Sequence, residues 1–357
     1  MSAMNMTRSR AKLRDIAQHA GVSVSTVSRA LNNNPNIAPS TRQQVQRISA
    51  ELGYRAMRAS DGPRRVGLAV TLAPVKHVFD IIFGVGTALR DRNGRFELSA
   101  LGEKPLAGYG VASLERFLCS GLDGAILANC RMTSAELAPI LDSLCPFVIV
   151  DPLMALDERI PQVDAANFAG SRAATEHLIQ LGHTRIGIVI GPKGIQPAAD
   201  RLAGYHAALA AAGIAILPEL QPLVHWPSSD RFVFQGELPC ELGTIPALEL
   251  LRLPQPPTAI LAFNDDVALS VMRAARDCGL DVPRDLSVVG FDDAPMATIV
   301  TPALTTVRQP VADLGRTAVD MLYRLMDGEN LGVRHMTLAT KLVIRDSTGP
   351  VPTEARS

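Results

Sequence analysis

Short apolar runs, recurring from Val66 onward, limit this chain more than any other feature. VGLAVTL (66–72), FELSAL (96–101), GAILAN (124–129), FVIVD (147–151), RIGIVIG (185–191), TAILAFND (258–265) and LSVVGFDD (286–293) each have the length of a buried strand. Helical spacing fills the intervals, as in Ala173–Leu181, Ala199–Ala212 and Asp266–Cys278. Strands alternating with amphipathic helices make βαβ units and parallel sheets, and the number of runs fits two sheets better than one. With 357 residues and 47% hydrophobic content, the chain has enough apolar surface for such cores. No run reaches the roughly 18 apolar residues of a bilayer span. The opening MSAMNMTRSRAKLRD is polar and basic where a secretory signal would be apolar. A cytoplasmic protein with no membrane contact is expected. The five cysteines are at least ten residues apart, which excludes CxxC knuckles and points to reduced, buried thiols.

Before Val66 the pattern is different. Leu13, Ile16, Ala17 and Ala20 recur at helical spacing, Gly21-Val22-Ser23 interrupts, and Val24 to Leu31 resumes with Val27, Ala30 and Leu31 inward. The polar stretch Asn32 to Asn36 ends that helix; a third runs from about Pro39 through Val45, Ile48 and Leu52 to a stop at Gly53. These three helices form a small bundle, and Asp61-Gly62-Pro63 marks a linker. Residues 1–65 hold eleven Lys and Arg against three Asp and Glu, net +8, and the remainder holds 24 against 32, net −8. The overall zero therefore hides a basic head on an acidic body, the pattern of a polyanion reader. A merely solvated basic face is the alternative.

Leu13 to Asn32 has the physics of a helix-turn-helix. Ala17 is small where two helices would cross, Gly21 permits the turn, and Val22 and Val27 close the core. Ser23 suits a cap on the second helix, whose amino end then faces phosphates. Val24, Ser25, Ser28 and Arg29 are left outward. Arg29 suits two bonds to guanine, Ser25 pairs with any base edge, and Val24 meets a thymine methyl. A generic helical hairpin would share the apolar spacing; the charge of the head favours DNA.

These residues also carry a resemblance. Leu13-Arg14-Asp15-Ile16-Ala17, Ala20-Gly21-Val22-Ser23, Thr26-Val27-Ser28-Arg29, Leu31-Asn32, Thr41-Arg42 and Leu52-Gly53-Tyr54 closely resemble the head of the lactose/galactose repressor (LacI/GalR) family. The resemblance implies that Val24, Ser25 and Arg29 touch bases and that Thr26, Ser28, Asn32 and Thr41 touch phosphates. The chain departs from the family after Tyr54. There the family has a hinge helix whose leucine wedges into the minor groove, whereas Arg55 to Arg65 is shorter, lacks leucine and carries Gly62-Pro63. A plain basic linker is the preferred reading. Met57 as a wedge, or Arg58, Arg64 and Arg65 on phosphates, are the substitutes.

Weaker similarity to the same family continues to about Thr348, through Gly121–Leu127, Glu176-His177-Leu178, Gly182-His183, Arg201–Tyr205, Phe263-Asn264-Asp265, Val288–Asp293 and Pro302–Gln309. The family's body is similar to periplasmic sugar-binding proteins, with two α/β lobes, three crossings and ligand between the lobes. Read from the residues alone, Asn264 and Asp292 end β-runs and Arg201 opens a helix, at the carboxyl edge where α/β folds bind ligands. An arginine fork, an amide and a carboxylate suit a polyhydroxyl ligand. The resemblance assigns ligand contact to Arg201, Asn264, Asp292 and Gln309. Asn167, Phe168 and His77 are further candidates for lining the cleft, with loop or core roles equally open.

The expected fold is a small all-α helix-turn-helix head plus an α/β body of two periplasmic-binding-protein-like lobes. The head is expected over 1–55, a linker over 56–65, the body over 66–348 and a tail over 349–357. Lobe one should take about 66–182 and 308–338, lobe two about 183–307 and 339–348. The expected function is a transcriptional regulator, a repressor by resemblance, binding as a homodimer to a near-palindromic operator and answering to a carbohydrate effector. No cofactor, metal site or catalytic set is expected. The histidines are scattered, Gly84-Val85-Gly86 lacks the third glycine of a dinucleotide fingerprint, and P-loop and HExxH patterns are missing. A transport solute-binding protein and an enzyme on a doubly wound fold are the rival readings.

Overall fold

The computed structural model describes residues 13–31, 37–51, 63–70, 76–100, 110–141, 145–224 and 242–352. Asn32, Met57, Arg58, Cys240 and the last five residues of the tail lie outside them, as does the side chain of Ser28. The head consists of α1 (Leu13–Ala20), α2 (Val24–Leu31) and α3 (Pro39–Glu51). Their inward positions, Ile16, Ala17, Ala20, Val27, Ala30, Val45 and Ile48, form one small core, with Val22 at its margin. Gly21 turns the chain between α1 and α2 at φ +65°, a conformation that a β-carbon disfavours.

The first sheet contains β1 (Arg65–Val70), β2 (Arg95–Ala100), β3 (Gly124–Ala128), β4 (Phe147–Val150), β5 (Gln162–Ala165) and β10 (His335–Leu338). Its order is β10-β5-β4-β3-β1-β2, all parallel. The second contains β6 (Ile186–Val189), β7 (Ala259–Ala262), β8 (Ser287–Asp292), β9 (Thr305–Arg308) and β11 (Lys341–Val343), in the order β11-β9-β8-β7-β6, with only β11 antiparallel. Strands β3, β4, β6 and β7 are buried along their whole length. That is why they read as unbroken apolar runs instead of alternating ones.

Helices cover these sheets. α4 (Lys76–Asp91) and α12 (Val311–Met326) share a core with the first sheet, while α5 (Val111–Leu118) and α6 (Ser134–Leu141) cover its other face. α8 (Gln196–Ala211), α9 (Thr244–Leu251), α10 (Asp265–Asp277) and the short α11 (Met296–Ile299) belong to the second sheet.

The remaining helix, α7 (Asn167–Gln180), corrects the expected division. Its Ala174 and Leu178 are buried among Ile186, Ile188, Leu209 and Phe291 of the second lobe. The first crossing between lobes therefore falls at Ala166, not near Gly182, and the second follows Arg308 instead of preceding it. The reason is that β5 (QVDA) is short and half polar, so the strand that ends the first lobe carries no apolar signal of its own.

α7 and α8 cross closely because Gly204 has no side chain. A β-carbon there would stand 2.2 Å from the Phe168 carbonyl oxygen and 2.9 Å from the Arg172 nitrogen, both backbone atoms that cannot rotate away. Gly204→Ala is expected to force the helices apart and to cost about 1–3 kcal/mol, read as a lowered midpoint in denaturant. An unchanged midpoint would show that the crossing has slack.

Arg64 and Arg65, candidates for phosphate contact, are instead engaged with the body. The Arg64 guanidinium lies 4.9 Å above the Tyr323 ring and donates to Asp327, and Arg92 lies 5.4 Å from the same ring. Arg65 donates to Glu97 at 2.9 Å and to the Gly121 carbonyl at 3.2 Å, while its backbone N–H donates to Asp123 at 2.7 Å. These contacts fasten the end of the linker to the first lobe.

Candidate DNA-reading helix and ligand cleft

Ser23 caps α2: its Oγ accepts from the Thr26 backbone N–H at 3.1 Å and lies 2.8 Å from the hydroxyls of both Ser25 and Thr26. With Val27 and Ala30 buried, Val24, Ser25 and Arg29 are all exposed, and Val24 shows 43% of its surface although apolar. An exposed valine in the first turn beside a hydroxyl and a guanidinium is a face with no core to join. Thr26 and Thr41 are half-buried, at the starts of α2 and α3.

In the body, the polar residues gather at the carboxyl ends of the strands in both lobes. Asn129 follows β3 and Asp151 follows β4, while in the second lobe Phe263 and Asn264 follow β7, Asp292 ends β8 and Gln309 follows β9. This is where open α/β sheets take ligands. In the first lobe His77, in the first turn of α4, meets Asp151 with Nε2 to Oδ2 at 2.6 Å, and Asn129 Nδ2 lies 3.5 Å from the same oxygen. In the second lobe Arg201 sits between two aromatic rings, 3.7 Å from the Phe291 centroid and 4.8 Å from that of Phe263. Its Nε donates to Asn167 at 2.9 Å and its Nη1 to the Phe263 carbonyl at 2.5 Å, and Nη2 lies 3.6 Å from Asp292. Gln309 donates to Asp292 at 2.6 Å. Each lobe thus presents an ion pair accompanied by an amide.

The charges of these groups follow from their surroundings. Burial pulls His77 down, but the charge and hydrogen bond of Asp151, with Asp292 beyond, outweigh it and hold the imidazole above its ordinary value. Burial pushes Asp151 up, but His77 and then Arg201 bring it below the usual carboxylate range. Burial also lowers Arg201, against Asp292 and Asp151, from a starting point so high that it stays charged. Asp265, buried and close to Asp292, is pushed up to about 8, against the pull of its hydrogen bonds from the Thr306 hydroxyl and the Ala294 N–H.

The sequence-derived candidates do not all play the same part. Arg201, Asp292, Gln309 and Asn167 come together, with Asn167 holding Arg201 through Oδ1 and the Ala165 carbonyl through Nδ2. Asn264 caps α10, its Oδ1 accepting from the Val267 N–H at 3.0 Å, which leaves its amide nitrogen for a ligand. Phe168 is largely exposed on α7. Asp292 and Asp293 point apart, with Asp293 paired to Arg308 and Arg345 at 2.5 Å each. Sequence reasoning missed Asp151 and Asn129, although GAILAN and FVIVD each end a β-run on a polar residue, the signal that singled out Asp292.

Comparison with known proteins agrees with this geometry. Residues 12–56 match the bacterial regulatory proteins of the lacI family, and residues 175–348 match the periplasmic binding protein-like domain. The HTH-type transcriptional repressor CytR of Escherichia coli strain K12 is 30% identical over 346 residues, covering 96% of this chain and 97% of that protein. The chain belongs to the LacI family. The regulator GalR of the same strain is 32% identical over 368 residues, 97% of this chain and 98% of its own length. Among solved structures, the transcriptional regulator CelR in complex with cellobiose has 31% identity and a TM-score of 0.68, covering 95% of this chain and all of the other. The Lac repressor dimer bound to operator and the anti-inducer ONPF has 26% identity and a TM-score of 0.69, covering 96% of this chain and all of its own. As in these LacI-family proteins, a helix-turn-helix head precedes a two-lobed α/β body. Among the described residues no helix is long and apolar enough to cross a membrane.

Proposed function

We propose that this LacI-family chain is a transcriptional repressor whose affinity for a near-palindromic operator changes when a neutral, hydroxyl-rich small molecule, a sugar or sugar derivative, occupies the cleft. One observation supports the ligand class above the others. Asn129 Oδ1 and Gln309 Oε1 are buried acceptors with no donor among the described residues. Leaving such groups unmet costs stability, and hydroxyl donors on a ligand satisfy them once the two amides turn to meet it. Opposite charges are already matched in each lobe, which favours a neutral guest over an ion. Arg201, Asp292 and Gln309 hold one side of it, Asn129, Asp151 and His77 the other, and Asn264 offers its amide nitrogen. A non-enzymatic role fits relatives named as transcriptional regulators. With DNA in the nucleoid, the site of action is the cytoplasm.

In the head, Val24, Ser25 and Arg29 read bases, while Thr26, Ser28, Asn32 and Thr41 hold phosphates. The test is selection of bound duplexes from a random pool by the purified full-length protein, followed by gel shifts with and without cellobiose, D-galactose and D-ribose. Enrichment of a palindrome whose shift changes with a sugar supports the reading. Failure to favour any duplex over bulk DNA overturns it. Arg29→Ala is expected to cost about 1–3 kcal/mol at one base position and to relax the preference there. Equal weakening across all base substitutions would reassign Arg29 to the phosphates.

A further inference from the structure

On the effector reading above, we propose that His77, held by Asp151, is a specificity-determining residue of the cleft: a cationic donor that seeks a hydrogen-bond acceptor on the effector and makes effector binding depend on pH. The geometry leaves the ring one open end. Nε2 is committed to Asp151 at 2.6 Å, in a pair whose side chains are 14% and 8% exposed. Nδ1 has no partner among the described residues, and it is not one of the sealed-off polar atoms. Both ring nitrogens of an imidazolium are donors. When the ring loses a proton, the one that remains belongs on Nε2, because the Asp151 carboxylate can only accept. Deprotonation therefore turns Nδ1 from a charged donor into an acceptor and reverses what the first lobe asks of its ligand.

The groups around His77 decide where this happens. Asp151 after β4 and Asp292 at the end of β8 favour the charged ring, while Arg201 on α8 opposes it. Asp80 lies one turn further along α4, and on the packed helix α12 the nearest charged residues in sequence to its start, Asp313 and Arg316, pair with each other at 2.9 Å. The balance raises the imidazole above 6.5, so the pair's contribution is complete below that value and is lost as pH rises through the folded-state pKa. Charge-assisted hydrogen bonds are about twice as strong as neutral ones.

The experiment is calorimetric titration of the full-length protein with cellobiose, D-galactose and D-ribose as probes at about pH 6 and about pH 9, bracketing an imidazole raised above its ordinary range. The wild-type protein, His77→Gln and His77→Phe are compared, with the His77 ring followed by NMR in the absence of sugar. Expected are binding about tenfold weaker at the higher pH in the wild type, a flat and weaker profile in His77→Gln, and loss of binding in His77→Phe. The ring should titrate above 6.5 in the wild type, and lower when Asp151 is changed to Asn. A sugar that binds equally at both pH values and equally to His77→Phe overturns the role of His77 and leaves the carbohydrate reading standing. No binding by any probe overturns both. A ring that titrates at or below 6.5 removes the imidazolium and the inference with it.

Discussion

Arg201→Ala is expected to lower the stability of the body by about 3–5 kcal/mol, the range for removing one partner of a buried charge pair, and to abolish the response to effector. Arg201 is 8% exposed, and its guanidinium joins three structural elements. Its removal leaves the Asn167 Oδ1 and the Phe263 carbonyl without donors, and Asp292 without its cation. It also opens a gap between the Phe263 and Phe291 rings, which now stack on it. Arg201→Lys should recover little of this, because an ammonium lacks the planar fork that reaches Asn167, Phe263 and Asp292 at once. Denaturant unfolding followed by circular dichroism reads the stability, and gel shifts with sugar read the response. A shift in stability below about 0.5 kcal/mol, the range of ordinary surface changes, would show that the fork is not a structural centre.

The second large effect concerns assembly. Phe79 and Phe83 lie one turn apart on α4 and are 62% and 65% exposed, and Phe96 and Leu98 are exposed on β2, the edge strand beside that helix. Large exposed apolar groups grouped at a sheet edge mark a contact surface, and the Lac repressor neighbour is a dimer on its operator. Phe83→Glu is therefore expected to make the protein monomeric at micromolar concentration. Its operator affinity should fall by about 10²–10⁴, the avidity lost when the second head no longer binds as part of the same molecule. Sedimentation velocity and gel shifts check the two halves of this expectation. A variant that remains dimeric would move the interface to another face.

The sequence made some of this architecture legible and hid the rest for physical reasons. The seven apolar runs became seven of the eleven strands among the described residues. β5, β9, β10 and β11 were not visible because QVDA, TTVR, HMTL and KLV are short and carry polar groups. Thr305, buried in β9, is accommodated because its backbone N–H donates to Ser347 Oγ, 42 residues away, and periodicity cannot register such a partner. In the cleft, Asp292 was legible as a polar group ending a strand, whereas Arg201, expected to open a helix, lies in the second turn of α8. The His77–Asp151 pair was not legible, since it joins residues 74 apart and depends on how α4 is set against β4. Asn264 is a mixed case. An asparagine before Asp265-Asp266 is also a helix-start signal, and the cap it makes is what that pattern describes.

The anchoring of Arg64 and Arg65 to Tyr323, Asp327 and Glu97 sets the tether of each head. Only twelve residues separate the end of α3 at Glu51 from Arg64, and a chain of that length spans at most about 45 Å when fully drawn out. A head on so short a leash can search only the stretch of duplex directly beneath its own lobe, and the spacing of the two half-sites is thereby limited by where the paired bodies place their anchors.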